Sequence, residues 1–145
     1  MNNSVAILLS TYNGEKYIKE QMDSLLAQTY PNIKIYIRDD CSTDNTLEIL
    51  KTYEDDRIVL IEGEKNLGYP GGFYELLRRC DEEDFYSFCD QYDVWLPEKI
   101  ERAVDKLKDM NEATPNLYYA GYDFYDSQLN YIKPCPKIKH NPEFR

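Results

Sequence analysis

Two carboxylates, Asp90 and Asp93, stand three residues apart in the run Cys89-Asp90-Gln91-Tyr92-Asp93-Val94-Trp95-Leu96-Pro97. The run begins where the apolar segment Phe85-Tyr86-Ser87-Phe88 stops, and Pro97 opens a stretch with helical patterning. Both acids are therefore expected on a short loop at the carboxyl end of a strand, the edge at which open α/β sheets bind ligands. Carboxylate oxygens suit a hard divalent cation such as Mg2+ or Mn2+, and through it a phosphate group. Tyr92 occupies the position where a third acid would strengthen such a site. A phenol, whose ordinary pKa is about 10, is neutral and a poor ligand for Mg2+ at neutral pH. A second acid pair, Asp39-Asp40, closes the segment Ile33-Lys34-Ile35-Tyr36-Ile37 and leads into the turn Cys41-Ser42-Thr43-Asp44-Asn45-Thr46. Asp39 has a second reading, as an acceptor for backbone donors of that turn.

The elements that must position these acids can be read from the apolar spacing. Val5-Ala6-Ile7-Leu8-Leu9 is a continuous apolar run that suits a buried parallel strand, broken by Ser10-Thr11-Tyr12-Asn13-Gly14. Ile18, Met22, Leu25 and Leu26 then mark one face of a helix, with Asn13 as its N-cap and Glu15 in its first turn. Ile33–Ile37 is the second strand, and Asn45 followed by Glu48 opens a helix carrying Leu47, Leu50 and Tyr53. A third strand is expected over Arg57–Ile61. Phe73, Leu76, Leu77 and Cys80 repeat at helical spacing after it. Tyr69-Pro70-Gly71-Gly72 reads as a turn, or as backbone able to approach a phosphate. Phe85–Phe88 is the fourth strand, Ile100, Ala103, Val104, Leu107 and Met110 line the next helix, and Asn116–Tyr125 is the fifth strand. Strands alternating with helices, over connections too long for hairpins, predict an α/β fold with a mostly parallel Rossmann-like sheet and helices on both faces.

Composition narrows the function classes. The 27 acids outweigh 17 bases for a formal net charge of −10, which argues against nucleic acid as a partner. It leaves phosphate ligands open where a divalent cation mediates. None of the 4 cysteines is paired at C-x-x-C spacing, so no zinc site is expected. Met1-Asn2-Asn3 lacks a basic leader and no segment approaches a membrane span, so a cytoplasmic chain with free thiols is predicted.

With these residues in view, the chain resembles the amino-terminal half of a family 2 glycosyltransferase of the GT-A fold. It particularly resembles the bacterial rhamnosyltransferase-like members used in cell-surface polysaccharide synthesis. The ordered landmarks are Ser10-Thr11-Tyr12-Asn13, Ser24-Leu25-Leu26-Ala27-Gln28-Thr29-Tyr30, Asp39 through Thr46, Asn66-Leu67-Gly68, and Asp90 through Lys99. They cover roughly Val5 to Tyr131, so residues 1–132 are expected to form an incomplete nucleotide-sugar-binding domain, followed by an unpatterned tail over 133–145. His140, in that tail, is given no role.

The resemblance implies a UDP- or dTDP-linked sugar donor and transfer to a saccharide or lipid-linked saccharide acceptor with inversion. It implies that Thr11, Tyr12, Asn13 and Glu15 line the base and ribose, and that Asp40 accepts the N3–H of a uracil or thymine ring. Such a carboxylate accepts an N–H bond but donates none, which favours a ring with a donor at that edge. Lys65, Asn66 and Gly68 are implied to lie near the nucleotide, with Asp90 and Asp93 holding ribose and a divalent metal on the diphosphate. Thr11 and Asn13 retain a second reading as turn and cap residues. The D-x-Y-D pattern made by Tyr92 departs from the family's D-x-D-D and puts Mg2+ or Mn2+ binding in question. In the family the general base and acceptor site come from a second half that this sequence is expected to lack. Two functions stay open on the sequence: a glycosyltransferase, working at the inner face of the membrane, or a truncated, inactive module that binds nucleotide or associates, for example as a homodimer. A nucleotidyltransferase is disfavoured, because no Gly-rich phosphate loop follows the first strand.

Overall fold

A computed structural model describes residues 3–111 and 113–136. The strands β1 (Val5–Thr11), β2 (Ile33–Asp39), β3 (Ile58–Glu62) and β4 (Phe85–Asp90) form one parallel sheet in the order β3-β2-β1-β4. The helices are α1 (Ile18–Leu26), α2 (Thr46–Lys51), α3 (Gly68–Arg79) and α4 (Lys99–Leu107). Side chains alternate across a strand, so one apolar run serves two cores. Val5, Ile7 and Leu9 with Ile35 and Ile37 pack against Met22, Leu25, Leu50, Ile100 and Val104 of α1, α2 and α4. On the other face, Ala6, Leu8 and Tyr36 meet Phe73 and Leu76 of α3. Met22 and Leu25 are fully buried, and truncating either to alanine would cost about 2–5 kcal/mol.

The register sets the upper edge. Ser10 pairs with Asp90, and Thr11 pairs with Asp39, so four polar residues end three adjacent strands at one level. β1 is central, with β2 on one flank and β4 on the other, so the chain reverses its direction of travel between β1 and β4. That is the switch point at which doubly wound sheets open a crevice.

Several sequence expectations change. The fourth strand continues past Phe88 to Asp90, because the ladder with β1 runs on to Ser10. Asp90 is therefore strand-held rather than loop-held. The segment Asn116–Tyr125 does not add a fifth parallel strand. Only β5 (Asp123–Tyr125) forms, pairing antiparallel with β6 (Tyr131–Pro134) in a separate two-stranded sheet. The reason is local: the Asp126 Oδ1 accepts the N–H groups of Gln128 and Asn130, and so short a connection can only join antiparallel strands. Lys133 and Pro134, read as the start of the tail, belong to β6; His140 lies outside the described residues. Tyr69-Pro70-Gly71-Gly72 is no free turn but the opening of α3, kinked at Tyr69. There a Cβ on Gly72 would sit 2.3 Å from the Ser10 Oγ, so the glycine permits close packing of α3 on β1. Asn13 does not cap α1, which begins at Ile18, and the N–H of Thr46 is capped by Asp44 rather than by Asn45. Pro97 stands two residues before α4.

Candidate functional site

A recess of about 480 Å³ opens at the carboxyl edge of the sheet, over the switch point. Its lining includes Thr11, Tyr12, Asp40, Asn66, Gly68 and Asp90. Six residues singled out from sequence thus come together from the carboxyl ends of β1, β2 and β4, the β3–α3 loop and the first residue of α3. Gln91 and Tyr92 belong to the same wall. A second recess of about 350 Å³ shares Asp90, Tyr69 and Phe73 with the first and adds Asp93 and Phe88. Asn13, Glu15 and Lys65 are not part of either lining.

Asp39 and Asp40 are both buried, at 2% and 3% exposure, and both are satisfied from within the chain. The Asp39 carboxylate accepts the Thr11 hydroxyl at 3.0 Å, the Ser42 hydroxyl at 2.6 Å and the Ser42 N–H at 2.9 Å. Its alternative reading, as an acceptor for the turn that follows, describes its place. Thr11 is 1% exposed and its hydroxyl is spent on this contact. Asp40 pairs with the buried Arg38 guanidinium and also receives the backbone of the Asn66-Leu67-Gly68 loop. Leu67 N–H lies 2.8 and 2.9 Å from the two Asp40 oxygens, and Gly68 N–H lies 2.7 Å from Oδ2. Gly68 has φ +62°, and alternating right- and left-handed residues aim successive N–H groups at one anion. Burial alone would raise the Asp40 carboxyl, but the N–H of Leu67, the Arg38 guanidinium and the N–H of Gly68 together hold it below the ordinary carboxylate range. Arg38 in turn donates to the Lys65 carbonyl at 2.9 Å, which fixes the loop's entry; the Lys65 side chain stays exposed.

Asn13 and Glu15 stitch two loops together. The Asn13 Oδ1 accepts Thr43 N–H at 2.8 Å from a backbone at φ +47°. Glu15 Oε2 accepts both the backbone and side-chain N–H groups of Asn45 at 2.9 Å. Both residues therefore brace the β1–α1 loop against the β2–α2 loop.

The acids on the β4 side are left differently. Among the described residues no hydrogen bond reaches the Asp93 carboxylate, whose carboxyl is raised above its ordinary range by burial first and by the Asp90 charge second. Tyr92 is raised by the Asp90 charge first, then by burial and by Asp93. No group of three or more His, Cys, Asp or Glu side chains converges among the described residues. The pair Asp90–Asp93 nevertheless fits a hard cation: two mutually repelling carboxylates border one recess, the Cys89 thiol there stays protonated, and no basic partner is hydrogen-bonded to Asp93, though the Lys99 charge acts on it. Tyr92 faces the recess as a neutral phenol and adds no anionic donor.

The loop after β4 is hung from α1. Gln28 donates to the carbonyls of Ser24 and Leu96 at 3.1 and 2.9 Å and accepts Ile100 N–H at 3.1 Å. The Ser24 hydroxyl accepts Trp95 N–H at 3.1 Å, and Thr29 N–H donates to the Pro97 carbonyl at 2.9 Å. Trp95 itself packs in the core with Lys99 over its ring at 4.7 Å. Of the segment Ser24–Tyr30, apolar spacing announces only Leu25 and Leu26, not the polar residues that hold the loop. The available signal was three polar residues at i, i+3 and i+7, Gln21, Ser24 and Gln28, set inside an apolar helix face, because buried polar groups need partners. Gln21 donates to the Cys89 Sγ at 2.9 Å while its own Oε1 has no partner. Burial keeps that thiol protonated, its pKa well above the usual value.

The sequence profile of glycosyl transferase family 2 matches residues 6–144. A dTDP-rhamnosyl transferase of Shigella flexneri, RfbG, is 39% identical over 105 residues, covering 68% of this chain and 36% of the relative. Among solved structures, Staphylococcus aureus TarS in complex with UDP-GlcNAc superposes with a TM-score of 0.65 at 33% identity, over 71% of this chain and 31% of that one. A mannosyltransferase of Pyrobaculum calidifontis, solved with GDP-Man and Mn2+, has a TM-score of 0.68 at 24% identity, over 75% of this chain and 33% of that one, and shares the fold. The chain spans about a third of the length of each of these relatives.

Proposed function

This chain belongs to glycosyl transferase family 2, and we propose that it supplies the donor-binding part of an inverting glycosyltransferase. The donor is a UDP- or dTDP-linked sugar, the acceptor a saccharide or lipid-linked saccharide, and the setting cell-surface polysaccharide synthesis. The observation that carries this reading is the single recess that joins Thr11, Tyr12, Asp40, Asn66, Gly68 and Asp90 at the switch point, beside Asp93. A dTDP-rhamnosyl transferase among the relatives and the UDP-GlcNAc complex of another favour a pyrimidine nucleotide.

The base and ribose lie against Tyr12 and Thr11, with Asn13 and Glu15 bracing that loop and Lys65, Asn66 and Gly68 closing the opposite side. Asp40 keeps acceptor capacity despite its four contacts. Leu67 N–H is shared between both oxygens, so it can settle on one and release a lone pair on the other for the N3–H of uracil or thymine without any donor losing its partner. Ionised Asp40 offers no donor, which disfavours a ring that presents an acceptor there. Asp90 and Asp93 would hold Mg2+ or Mn2+, which as a Lewis acid neutralises the departing diphosphate. Asp90, strand-held at Ser10, also reaches the ribose side. Inversion requires a general base for the acceptor hydroxyl, and none of the described residues is assigned that role.

Thermal unfolding with UDP, dTDP or GDP, each with and without Mn2+, tests the reading. A nucleotide at 100 times its dissociation constant adds about 2.7 kcal/mol, a rise of roughly 8 °C for a chain of this size. A metal-dependent rise with UDP or dTDP exceeding that with GDP is expected. A cooperatively unfolding chain that responds to none of them overturns the donor site and leaves the inactive association module.

A further inference from the structure

We propose that Gln91 is a positioning residue that fixes the distance between the Tyr12 loop, on the base and ribose side, and the end of β4 with the loop that follows it, where Asp90 and Asp93 stand on the diphosphate side. The inference rests on the donor-site reading above. Its geometry is that of a ladder continued by a side chain. The β1–β4 pairing ends at Ser10 and Asp90, where the two main chains part at the switch point. One step further, Gln91 Oε1 accepts Tyr12 N–H at 2.9 Å and Gln91 Nε2 donates to the Tyr12 carbonyl at 2.9 Å. A single planar amide thereby meets both main-chain groups of one residue, 79 positions away in the chain. Only a primary amide presents a donor and an acceptor side by side in this way; a carboxylate is acceptor-only and would oppose the Tyr12 carbonyl.

The β1–α1 loop is shaped around that amide. A Cβ on Gly14 would lie 2.3 Å from Gln91 Oε1 and 2.7 Å from its Cδ. Gly14 is not among the glycines at positive φ, so what it provides is space for the amide rather than backbone freedom. Two distant positions, one on each loop, thus serve a single contact. Tyr12, Asp90 and Gln91 line the same recess, so the brace lies between the two groups of ligand contacts it would align. A ligand that touches only the Tyr12 side does not need the brace. A ligand that spans both loops does.

That difference gives the test. Dissociation constants for UDP and dTDP with Mn2+, by calorimetry, are compared with those for uridine and thymidine, by NMR titration. The chains are the unaltered one, Gln91→Ala, Gln91→Glu, Gly14→Ala and the double Gly14→Ala/Gln91→Ala. Each single substitution is expected to weaken the metal-bound diphosphates at least tenfold while leaving the nucleosides within twofold, and the double change should be no worse than Gln91→Ala. In the ligand-free chain, exchange of the Tyr12 amide hydrogen should quicken at least tenfold in Gln91→Ala and Gly14→Ala while that of Leu9 stays slow. Unchanged diphosphate affinity overturns the proposal. So does equal loss of nucleosides and diphosphates, which would mark Gln91 as a purely structural residue, or unchanged Tyr12 exchange. If the unaltered chain binds neither diphosphate, the donor-site reading falls and takes this inference with it; if it binds and the variants match it, the inference alone falls.

Discussion

Asp40 and Asp93 serve the same edge of the same sheet, one after β2 and the other after β4, and they have opposite electrostatic lives. Asp40 is enclosed by Arg38 and two backbone N–H groups, and its carboxyl is held low. Asp93 has no donor among the described residues and is pushed high by burial and by Asp90. Identical side chains at one sheet edge are thus a structural anchor in one place and, in the other, an exposed carboxylate with no internal donor among the described residues. The donors around each decide which. Charge left uncompensated by the fold is charge available to a cation.

The comparison breaks most sharply at Asp40. Replacing it with Asn leaves the Arg38 guanidinium buried without its counter-charge, at an expected cost of about 3–5 kcal/mol in urea denaturation. The acid pH profile should follow. A carboxyl whose folded pKa is depressed contributes its full stability above the unfolded value of about 3.9, and that contribution is lost as pH falls through the folded value. The stability gap between the unaltered chain and Asp40→Asn should therefore be constant at neutral pH and shrink below about pH 4. Coincident profiles down to pH 2 would show that Asp40 is no anchor.

Next in size is Gln28, which suspends the loop carrying Asp93. Gln28→Ala strands the Ile100 N–H and the Leu96 carbonyl and should cost about 2–3 kcal/mol, read from the same denaturation midpoints. Tyr92→Asp sharpens the contrast by adding a third acid to the side that already lacks donors. Mn2+-dependent UDP binding should tighten about tenfold, or 1.4 kcal/mol, by calorimetry. The smallest effect belongs to Asp93→Asn. Removing a charge that repels Asp90 should raise the stability of the ligand-free chain by up to about 0.5 kcal/mol while abolishing the metal-dependent response to nucleotide. A loss of stability there comparable to that of Asp40→Asn would erase the distinction between the two acids.

Much of this architecture was legible in local patterning. Val5–Leu9 is a continuous apolar run because both faces of a central parallel strand are buried, Ile33–Ile37 is apolar apart from Lys34, and the four helices announce themselves by apolar spacing. Asn116–Tyr125 misled for a related reason: tyrosine-rich segments favour strands wherever they pair, and their partner here is the following turn's far side rather than the sheet. The site was legible as a set of chemically suited residues at strand ends. Its internal division of labour was not. Asn13, Glu15 and Gln91 make their contacts with residues 30 to 79 positions away, and no periodicity reports such a partner.

By itself, then, the sequence determined the strand and helix content, the parallel sheet that follows from it, and the collection of acids, amides and glycines at the carboxyl edge. These depend on spacing, and spacing is a one-dimensional property. Tertiary structure decided which acid is neutralised by Arg38 and which is left facing Asp90, which glycine makes room for the Gln91 amide, and where that amide replaces a missing rung between β1 and β4. Each of these depends on which donors and acceptors meet across the switch point, and only folding brings them within hydrogen-bonding distance.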